Sequence, residues 1–497
     1  MIAKAYSFAL LGLEAIPIRV EVGISGGLPD LVMVGLPDTA VRESRERVRA
    51  AIQSAGFHWP VRRLLVNLAP AHIRKEGSGY DLAVAAGILK ASGQLESVDL
   101  DDYVFAGELS IDGSVRPVRG ILAMAASMAA MPHKAFAVSE ENVGEALQVT
   151  DRVVPLRHLS QIAALRELRQ QSAGRQTEWI LPSADVDPHD LKADLVQVAG
   201  QNQARRALEI AAAGRHNILM TGPPGSGKSL LAQCLPTLLP PLSEEEALSV
   251  NRIYSAAGLL NKEKPWIRQR PFRCPHVNLT KTGMIGGGVP FQPGEISLAH
   301  CGILYLDEIS EMSRPVLESL RQPAEERKIT ISKSWGTMEL PADFQLLGTA
   351  NPCYCGYSGD RRIACRCTAF EIKRYQNKIS GPLMDRIDLR ISVPRVEFDS
   401  LQFREGSPET SKQVRQRVDQ AWQIRREREK KGSWDMQQLQ RCLTPAAKDF
   451  LARVYDHRGM TARGYGHMLR LARTIGDLEG EEEITAEILA EAVQYRG

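Results

Sequence analysis

The sequence has few of the features that mark membrane, disulfide-rich or disordered proteins. Its 497 residues contain eight cysteines, far fewer than a disulfide scaffold needs. No uncharged apolar run approaches the roughly 20 residues that span a bilayer. A hydrophobic content of 43% excludes a disordered chain. Because 62 Lys and Arg nearly balance 59 Asp and Glu, any nucleic-acid site must be local. We expect a soluble, cytoplasmic protein of about three domains, without a membrane partner.

The sequence pattern divides the chain into three domains and two linkers. Residues 1–168 mix strand-like runs with Ala-rich helices, and the polar residues 169–190 are interrupted by Pro and Gly, as linkers are. Strands and helices alternate through residues 191–395, which predicts a parallel sheet. After a second linker, 396–410, residues 411–497 have a helical pattern. The predicted fold class is multidomain α/β with a C-terminal helical lid.

The strongest chemical signal is a phosphate-binding loop. Residues 222–229 read GPPGSGKS, a full match to G-x-x-x-x-G-K-[ST], between a short apolar strand and a helix. Glycines let backbone N–H groups face phosphate oxygens, and the helix N-terminus adds positive partial charge. We expect Lys228 to reach the β and γ phosphates of ATP, and Ser229 to ligate Mg²⁺. The predicted ATP-binding residues are Gly222, Pro223, Pro224, Gly225, Ser226, Gly227, Lys228, Ser229 and Leu230.

Two further strands supply candidate catalytic residues. Residues 302–308 read GILYLDE, an apolar run that is typical of a buried parallel strand with acidic groups at its carboxyl end. Alone, this run also fits a helix cap, but its place about 80 residues after the loop favours a site. We predict that Asp307 holds Mg²⁺ and that Glu308 acts as general base on the attacking water. A strand at 344–349 leads to Asn351, predicted to orient that water or sense the γ-phosphate.

Two arginines are candidate contacts to the transferring phosphoryl group. Arg386 lies in GPLMDRIDL, near Asp385 and Asp388, and forms either a surface ion pair or an arginine finger. If Arg386 acts on a neighbouring subunit, the site exists only between subunits and the protein must oligomerise. Arg463, in TARGYGHMLRLART, is a candidate second γ-phosphate sensor on the helical domain.

Four of the eight cysteines form two C-x-C pairs separated by nine residues. They are Cys353, Cys355, Cys365 and Cys367. Four thiols so close together in a cytosolic protein favour tetrahedral Zn²⁺ over disulfides. The spacing is less usual than C-x-x-C, so unligated or redox-active thiols are the alternative. A zinc ion there would hold a loop beside Asn351.

Three segments are candidate contacts to DNA. Residues 353–395 contain nine Lys or Arg against four Asp or Glu, which attracts phosphates unless these residues form surface pairs. Residues 328–340 alternate around a short tip and predict a β-hairpin, whose Lys could grip a phosphate and whose Trp could stack or serve packing. The Gly-rich residues 282–290 predict a pore loop or an ordinary flexible loop. The predicted DNA-binding residues are Lys333, Trp335 and Lys281.

The order of these motifs resembles that of AAA+ ATPases of the magnesium-chelatase-like branch, and within it the ComM/YifB family. The resemblance rests on GPPGSGKS, GILYLDE, GTANPC, LMDRIDL and TARGYGHMLRLARTI, together with PFRCPH, MIGGG and NPCYCGY, and covers nearly the whole chain. It implies an AAA+ P-loop core in a homo-hexameric ring. It also implies a helicase that promotes branch migration in natural transformation, acting on single-stranded and branched DNA and on recombinase-made intermediates.

The resemblance also implies roles for single residues. Arg386 falls on the family's arginine finger and Arg463 on its second sensor. The hairpin before the sensor strand corresponds to one that projects into the pore of related rings, and a structural metal cluster is favoured at the cysteines. Val277 replaces the family's usual second histidine in PFRCPHV, which weakens any role requiring a histidine pair there.

Residues 1–168 resemble the Lon-protease fold, which implies an α+β domain. The proteolytic dyad of that fold needs a Ser activated by Lys. Ser78 lies one residue before the expected nucleophile position, which is Gly79, and residues 120–124 (GILAM) lack the family's lysine. We therefore expect a non-proteolytic domain, with a dyad of Lys75 and Ser78 as the alternative.

The sequence as a whole predicts a hexameric, Mg·ATP-dependent DNA motor. Two other functions stay open. One is a metal-chelatase ATPase subunit, although such subunits generally lack the Lon-like half and the C-x-C pairs. The other is an ATP-dependent protease or protein-remodelling machine, which the missing lysine disfavours.

Overall fold

The computed structural model describes residues 2–173, 193–333, 336–360, 362–396, 409–430 and 435–496. The strands are β1 (Ile2–Leu11), β2 (Glu14–Ser25), β3 (Asp30–Val34), β4 (Arg63–Ala69), β5 (Tyr103–Ala106), β6 (Glu108–Leu109), β7 (Val115–Arg116), β8 (Ala135–Ser139), β9 (Val153–Leu156), β10 (Ile218–Thr221), β11 (Phe272–Arg273), β12 (Gly286–Gly287), β13 (Gln292–Pro293), β14 (Ile303–Leu306), β15 (Lys328–Lys333), β16 (Gly336–Pro341), β17 (Gln345–Ala350) and β18 (Leu389–Ser392).

The helices follow in the same chain order. They are α1 (Thr39–Ser54), α2 (Asp81–Ala91), α3 (Ile121–Ser127), α4 (Val143–Ala146), α5 (Leu165–Ala173), α6 (Asn202–Gly214), α7 (Lys228–Leu238), α8 (Glu244–Ala257), α9 (Lys281–Ile285), α10 (Glu295–Leu298), α11 (Arg314–Ser319), α12 (Pro323–Glu326), α13 (Ala369–Gln376), α14 (Gly381–Met384), α15 (Ser411–Lys430), α16 (Met436–Arg441), α17 (Pro445–Arg458), α18 (Ala462–Glu479) and α19 (Ala486–Gln494). Within the described residues, none of these helices combines the length and the hydropathy needed to cross a membrane.

The N-terminal region contains two sheets of three or more strands. One sheet has the order β1-β2-β4-β3, in which β3 runs parallel to β4 and the other pairs are antiparallel. The other is the parallel sheet β5-β8-β9. Alternate residues of β2, including Ile18, Val20 and Val22, are fully buried, as a strand with one core-facing side requires. Helix α2, which is buried along nearly its whole length, packs against β1, β2 and β5.

The central region is built on a parallel sheet in the order β11-β14-β17-β10-β18. All four residues of β14 are buried, because both faces of such a sheet are covered. The register aligns Thr221 with Ala350 and with Ser392, so these strands end at one common edge. The phosphate loop follows β10, which lies between β17 and β18.

The C-terminal region is helical and shares a hydrophobic core with the central region. Buried residues of α18, such as Leu469 and Leu471, belong to the same cluster as Leu231 of α7. The Trp422 indole N–H of α15 donates to the carbonyl oxygen of Ala212 at 3.1 Å. The predicted helical lid is therefore packed onto the sheet domain.

The N-terminal region also contacts the central region. The backbone N–H of Gly120 donates to the Ser255 carbonyl at 2.9 Å. The turn between β1 and β2 lies against Met338 of β16, and Leu13 in that turn is buried in the same cluster as Val250. Two elements of the central region, α8 and the β15–β16 hairpin, thus contact the N-terminal domain.

The two predicted linkers lie mostly outside the described residues. The first was expected from residue 169, but α5 continues to Ala173, because Leu165 is buried and Leu168 packs against the N-terminal core. Residues 174–192 and 397–408, which hold most of the two linkers, are outside the part of the chain that the structure describes.

Candidate nucleotide-binding site

The phosphate loop occupies the carboxyl end of β10, as its sequence predicted. A Cβ on Gly222 would lie 2.1 Å from the Val393 carbonyl oxygen, so only glycine allows the loop to pass β18 so closely. Gly227, with φ of +91°, starts α7 in the left-handed region. The Ser226 hydroxyl is 1% exposed and has no hydrogen-bond partner among the described residues. A tight glycine loop with a buried, unpaired hydroxyl at a helix N-terminus fits bound phosphate.

Lys228 points back into this loop. Its Nζ donates to the carbonyl oxygens of Gly222 at 2.7 Å and Pro223 at 2.9 Å, and to Oδ1 of Asn351 at 3.3 Å. Burial lowers the pKa of the amine, while Asp307 and Glu308 act in the opposite direction. The predicted phosphate-binding lysine and the predicted sensor asparagine are therefore in direct contact.

The hydroxyl groups of the buried residues Tyr305 and Thr349 hold Asp307 in position just after β14. Its Oδ1 accepts hydrogen bonds from Tyr305 Oη at 2.7 Å and Thr349 Oγ1 at 2.6 Å. Burial, and then the bond to Asp307, raises the pKa of Tyr305, which a hydrogen bond with Ser229 partly offsets. The predicted magnesium ligands Ser229 and Asp307 thus share a neighbour in Tyr305. Carboxylate and hydroxyl oxygens are suitable Mg²⁺ ligands, so the donor set fits this ion.

Glu308 has a strained backbone beside this pair. Its φ is +50°, in the left-handed region that costs a non-glycine residue about 1 kcal/mol. The Glu308 N–H donates to the Thr349 hydroxyl at 3.0 Å, and the residue is exposed. This conformation turns the carboxylate out of the sheet edge, where a general base must meet water.

Sequence reasoning did not assign a role to Tyr305 or Thr349. A period-two signal could have found Tyr305, which lies two residues before Asp307 and so on the same face of the strand. Thr349, on β17, likewise lies two residues before a predicted site residue, Asn351. Tyr305 is the one residue with a polar group in β14, and Thr349 is a buried hydroxyl near the carboxyl end of β17.

The two candidate arginines lie at the opposite edge of the sheet. The backbone carbonyl of Arg386 accepts a hydrogen bond from Asn217 Nδ2 at 2.8 Å, just before β10 begins. The phosphate loop follows the other end of this four-residue strand, about 13 Å away at the rise of an extended chain. Arg386 and Arg463 both form ion pairs with Glu325, and the distance between Arg463 and Glu325 is 2.5 Å. The structure therefore groups the arginines with each other and not with Lys228.

Arg386 forms an ion pair, one of its two predicted roles, with a residue that is distant in sequence. Glu325 of α12 is its partner, while Asp388, whose side chain is 13% exposed, accepts from the His467 ring and from the Asn217 N–H at 3.0 Å. The chain turns from α14 into β18 here, so the two side chains point to different neighbours. The hydrogen bonds from His216 and His467 outweigh burial and hold the pKa of Asp388 well below its ordinary value.

A cavity of about 540 Å³ lies beside these arginines, between the sheet domain and the helices. Its lining includes Glu325, Arg386, Arg463, His467 and Arg470. It is separate from the phosphate loop of the same chain. An arginine-rich cavity of this kind can receive an anionic group such as a phosphate.

The four cysteines of the C-x-C pairs are brought together. All four Sγ atoms lie within 4.8 Å of one another. Cys353 Sγ is 3.4 Å from Cys355 Sγ and 3.7 Å from Cys365 Sγ. A tetrahedral zinc site with Zn–S bonds of about 2.3 Å has S···S edges of about 3.8 Å, so the thiols fit such an ion.

The candidate DNA contacts are only partly described. The predicted hairpin forms from β15 and β16, which pair antiparallel from Lys328↔Pro341 to Lys333↔Gly336. Trp335, at its tip, lies outside the described residues, as does the side chain of Lys333. Lys281 is exposed as the first residue of α9, which Thr280 caps.

The alternative dyad in the N-terminal domain is not assembled. Lys75 is fully buried and donates to the Pro70 carbonyl. Ser78 donates instead to the Glu108 carboxylate. The two side chains thus serve separate structural contacts, in agreement with a non-proteolytic domain.

Comparison with known proteins identifies similar chains over the full length. Three family profiles match: "Magnesium chelatase, subunit ChlI" at residues 194–401, "Subunit ChlI of Mg-chelatase" at 20–142, and "Magnesium chelatase, subunit ChlI C-terminal" at 408–496. The chain is 39% identical over 501 residues to "Competence protein ComM" of Haemophilus influenzae, covering 100% of this chain and 97% of that protein. It is 40% identical over 499 residues to the protein YifB of Escherichia coli, covering 98% and 96%. A magnesium-chelatase 67 kDa subunit of Heliobacterium mobile is 26% identical over 235 residues, covering 41% of this chain and 35% of that protein.

Proposed function

The chain belongs to the ComM/YifB family of magnesium-chelatase-like AAA+ proteins, and we propose that it is a DNA motor driven by ATP hydrolysis. One observation carries the proposal: Lys228, Asp307 and Asn351 meet at one edge of the sheet, while Arg386 and Arg463 meet at the other. A complete phosphoryl-transfer site needs both groups. Two copies of the chain, placed edge to edge, would supply them.

The residues at the carboxyl edge of the sheet have separate roles in ATP hydrolysis. Lys228 binds the β and γ phosphates, and Ser229 and Asp307 hold Mg²⁺. When bound, Mg²⁺ neutralises charge on the phosphate oxygens. Glu308 takes a proton from the attacking water, and Asn351 orients that water or contacts the γ-phosphate. Thr349 keeps Asp307 and Glu308 in register through its single hydroxyl.

The residues of the second edge complete the site of a neighbouring subunit. Arg386 stabilises charge on the transferring phosphoryl group, and Arg463 contacts the γ-phosphate. A head-to-tail interface of this type repeats until the ring closes. We propose a closed homo-hexamer, in which each nucleotide lies between two subunits.

The β15–β16 hairpin and the Gly-rich residues 282–290, which begin in α9 and continue through β12, are the proposed DNA contacts. Lys281 and Lys333 would bind backbone phosphates, and Trp335 would stack on a base. The name of the similar Haemophilus protein supports a role in natural transformation. We propose that the motor acts in the cytoplasm on single-stranded and branched DNA made by a recombinase, and drives branch migration.

The proposal is tested by ATP turnover of the purified protein without DNA, with single-stranded DNA and with four-way DNA. We expect branched or single-stranded DNA to stimulate turnover several-fold, and Lys228→Ala to abolish it at every DNA concentration. Lys4→Ala, which changes an exposed lysine of β1 in the N-terminal domain, is the control and is expected to retain DNA stimulation. Turnover that is indifferent to every DNA would contradict a DNA-coupled motor.

A metal-chelatase ATPase subunit is the second candidate, because all three matching profiles carry that description. The full-length similarity to ComM and YifB, which includes the N-terminal domain, favours the DNA motor. DNA-independent turnover that rises when a second protein and a tetrapyrrole are added would support the chelatase function. Proteolysis is disfavoured by the separation of Lys75 and Ser78.

A further inference from the structure

Residues 352–378 form a loop and helix that we name the cysteine lobe. Its four thiols are too far apart for disulfides, whose S–S length is about 2.05 Å, and close to the edges of a zinc–thiolate tetrahedron. Three of its large apolar side chains are exposed: Tyr354 at 50%, Ile363 at 38% and Phe370 at 75%. Tyr375 is its one large buried aromatic among the described residues, so the lobe has little further apolar surface to hold its shape, which is the usual situation of small metal-stabilised modules.

The cysteine lobe touches the phosphate loop. Gly356 follows the first C-x-C pair, and its N–H donates to the Cys353 carbonyl at 3.0 Å. A Cβ on Gly356 would lie only 2.8 Å from Cδ of Pro224. The φ of Gly356 is +84°, so this turn suits glycine for two reasons. The turn lies directly against the loop that holds Lys228.

The lobe also fixes the sensor residue. Asn351 precedes Cys353 by two residues, and Cys353 is fully buried. Since Asn351 accepts a hydrogen bond from Lys228 at 3.3 Å, a shift of Cys353 would change the position of the asparagine relative to the lysine. A single residue, Pro352, thus separates Cys353 from the predicted sensor Asn351.

A third contact reaches the turn that follows Glu308, the proposed general base. Tyr354 packs edge-on against Tyr375 with ring centroids 4.8 Å apart. The Lys378 amine lies 5.0 Å and 4.9 Å from these two rings and 3.2 Å from the Glu311 carboxylate. Glu311 ends the short 3₁₀ turn that starts immediately after Glu308.

We propose that a zinc ion bound by Cys353, Cys355, Cys365 and Cys367 makes the cysteine lobe a rigid clamp on the nucleotide site, so that metal occupancy sets the rate of ATP hydrolysis. Soft thiolate ligands in a tetrahedron select zinc among the common divalent ions. The clamp joins three segments that must be aligned for phosphoryl transfer: the phosphate loop, the end of β17 and the turn after Glu308. The effect on turnover rests on the proposed ATPase function; the metal site and the clamp do not.

The first experiment removes the metal ligand. Zinc per chain is measured by mass spectrometry in the full-length protein and in Cys365→Ser, with Cys442→Ser in the helical region as control. We expect one zinc per wild-type and control chain, at least a tenfold loss in Cys365→Ser, and faster amide hydrogen exchange in residues 222–228 of that variant. Chelation of the wild-type protein should reproduce the faster exchange, and added Zn²⁺ should reverse it. A wild-type protein without zinc, or exchange that is indifferent to zinc, would overturn the proposal.

The second experiment breaks the clamp but keeps the ligands. Gly356→Ala places a methyl group against Pro224, whereas Gly359→Ala, at φ of +80°, meets no atom within 4 Å. Both substitutions place an alanine at a similar positive φ and so cause similar backbone strain. A difference in kcat between the two variants therefore measures the effect of the contact with Pro224. We expect both to bind one zinc and Gly356→Ala to lower kcat about tenfold below Gly359→Ala. Equal kcat values in the two variants would contradict the proposed clamp. Absence of turnover in every protein, with zinc-dependent exchange intact, would instead contradict the ATPase function and leave the clamp standing.

Discussion

The hydroxyl of Thr349 connects the two acidic residues of the nucleotide site. It donates to Asp307 and accepts from the Glu308 N–H, so one side chain sets the position of both. The exposed Glu308 keeps its left-handed backbone next to this contact. Loss of the hydroxyl would leave the Glu308 N–H without its acceptor and Asp307 with one donor fewer.

Thr349→Val is expected to lower kcat by about 10- to 100-fold, because Asp307 and Glu308 lose their common hydrogen bond. The loss of a buried hydrogen bond should also reduce the free energy of unfolding by about 1–3 kcal/mol. Steady-state ATPase assays and urea denaturation check both values. Thr237→Val, which removes a buried hydroxyl that donates to the Cys234 carbonyl at 2.7 Å, should lose stability without loss of kcat. Equal kcat in both variants would contradict a positioning role for Thr349.

Strands and helices near the phosphate loop could be predicted closely from sequence. The short apolar strand expected just before the phosphate loop is Ile218–Thr221, and the strand expected at 344–349 is Gln345–Ala350. Continuous apolar runs and the glycine loop are local signals, so they place these elements within a residue or two. Long-range partners have no such signal: Glu325 lies 61 residues from Arg386, and His467 lies 79 residues from Asp388. The fold of the central region brings Glu325 to Arg386, and the packing of the helical lid onto the sheet brings His467 to Asp388.

The junction between α3 and α8 contains a buried acid. Glu145 of α4 accepts a hydrogen bond from the Leu122 N–H at 3.2 Å and interacts with Ser255 of the central region. Burial raises the pKa of its carboxyl to about 7, from an ordinary value of 4.5. A raised acid pKa means that the folded state binds the proton more tightly than the unfolded state. The resulting stabilisation is complete below pH 4.5 and is lost as the pH rises through about 7.

Glu145→Gln is therefore expected to gain stability relative to the wild type as the pH rises from 5 to 8, by about 1–3 kcal/mol. The glutamine cannot ionise but keeps an oxygen for the Leu122 N–H. Urea denaturation at the two pH values measures the difference. Glu141→Gln, an exposed acid of the preceding 3₁₀ turn, should show no such gain. A constant difference between Glu145→Gln and wild type at both pH values would exclude ionisation of Glu145 as the cause.

The proposed division of the nucleotide site between two sheet edges makes a prediction about the assembled protein. Lys228 and Asp307 lie at the carboxyl edge, and Arg386 is fixed beside Asn217 at the amino edge. The length of β10 separates them within one chain. If the arginine acts on a neighbour, a subunit with a defective phosphate loop can still supply its arginine. A subunit with a defective arginine can still bind and hydrolyse ATP.

Lys228→Ala and Arg386→Ala are each expected to be inactive alone, and a mixture of the two should regain turnover. In rings assembled at random from equal amounts, about a quarter of the interfaces pair an intact phosphate loop with an intact arginine, which sets the upper limit of recovery. The proteins are mixed, dissociated in high salt, reassembled and assayed. A mixture of Lys228→Ala with the double variant Lys228→Ala/Arg386→Ala has no intact phosphate loop and should stay inactive. Failure of the first mixture to recover, with ring formation verified by light scattering, would show that Arg386 serves its own chain or serves no catalytic role. Recovery would place the active site between subunits, where hydrolysis in one subunit changes the contacts of the next.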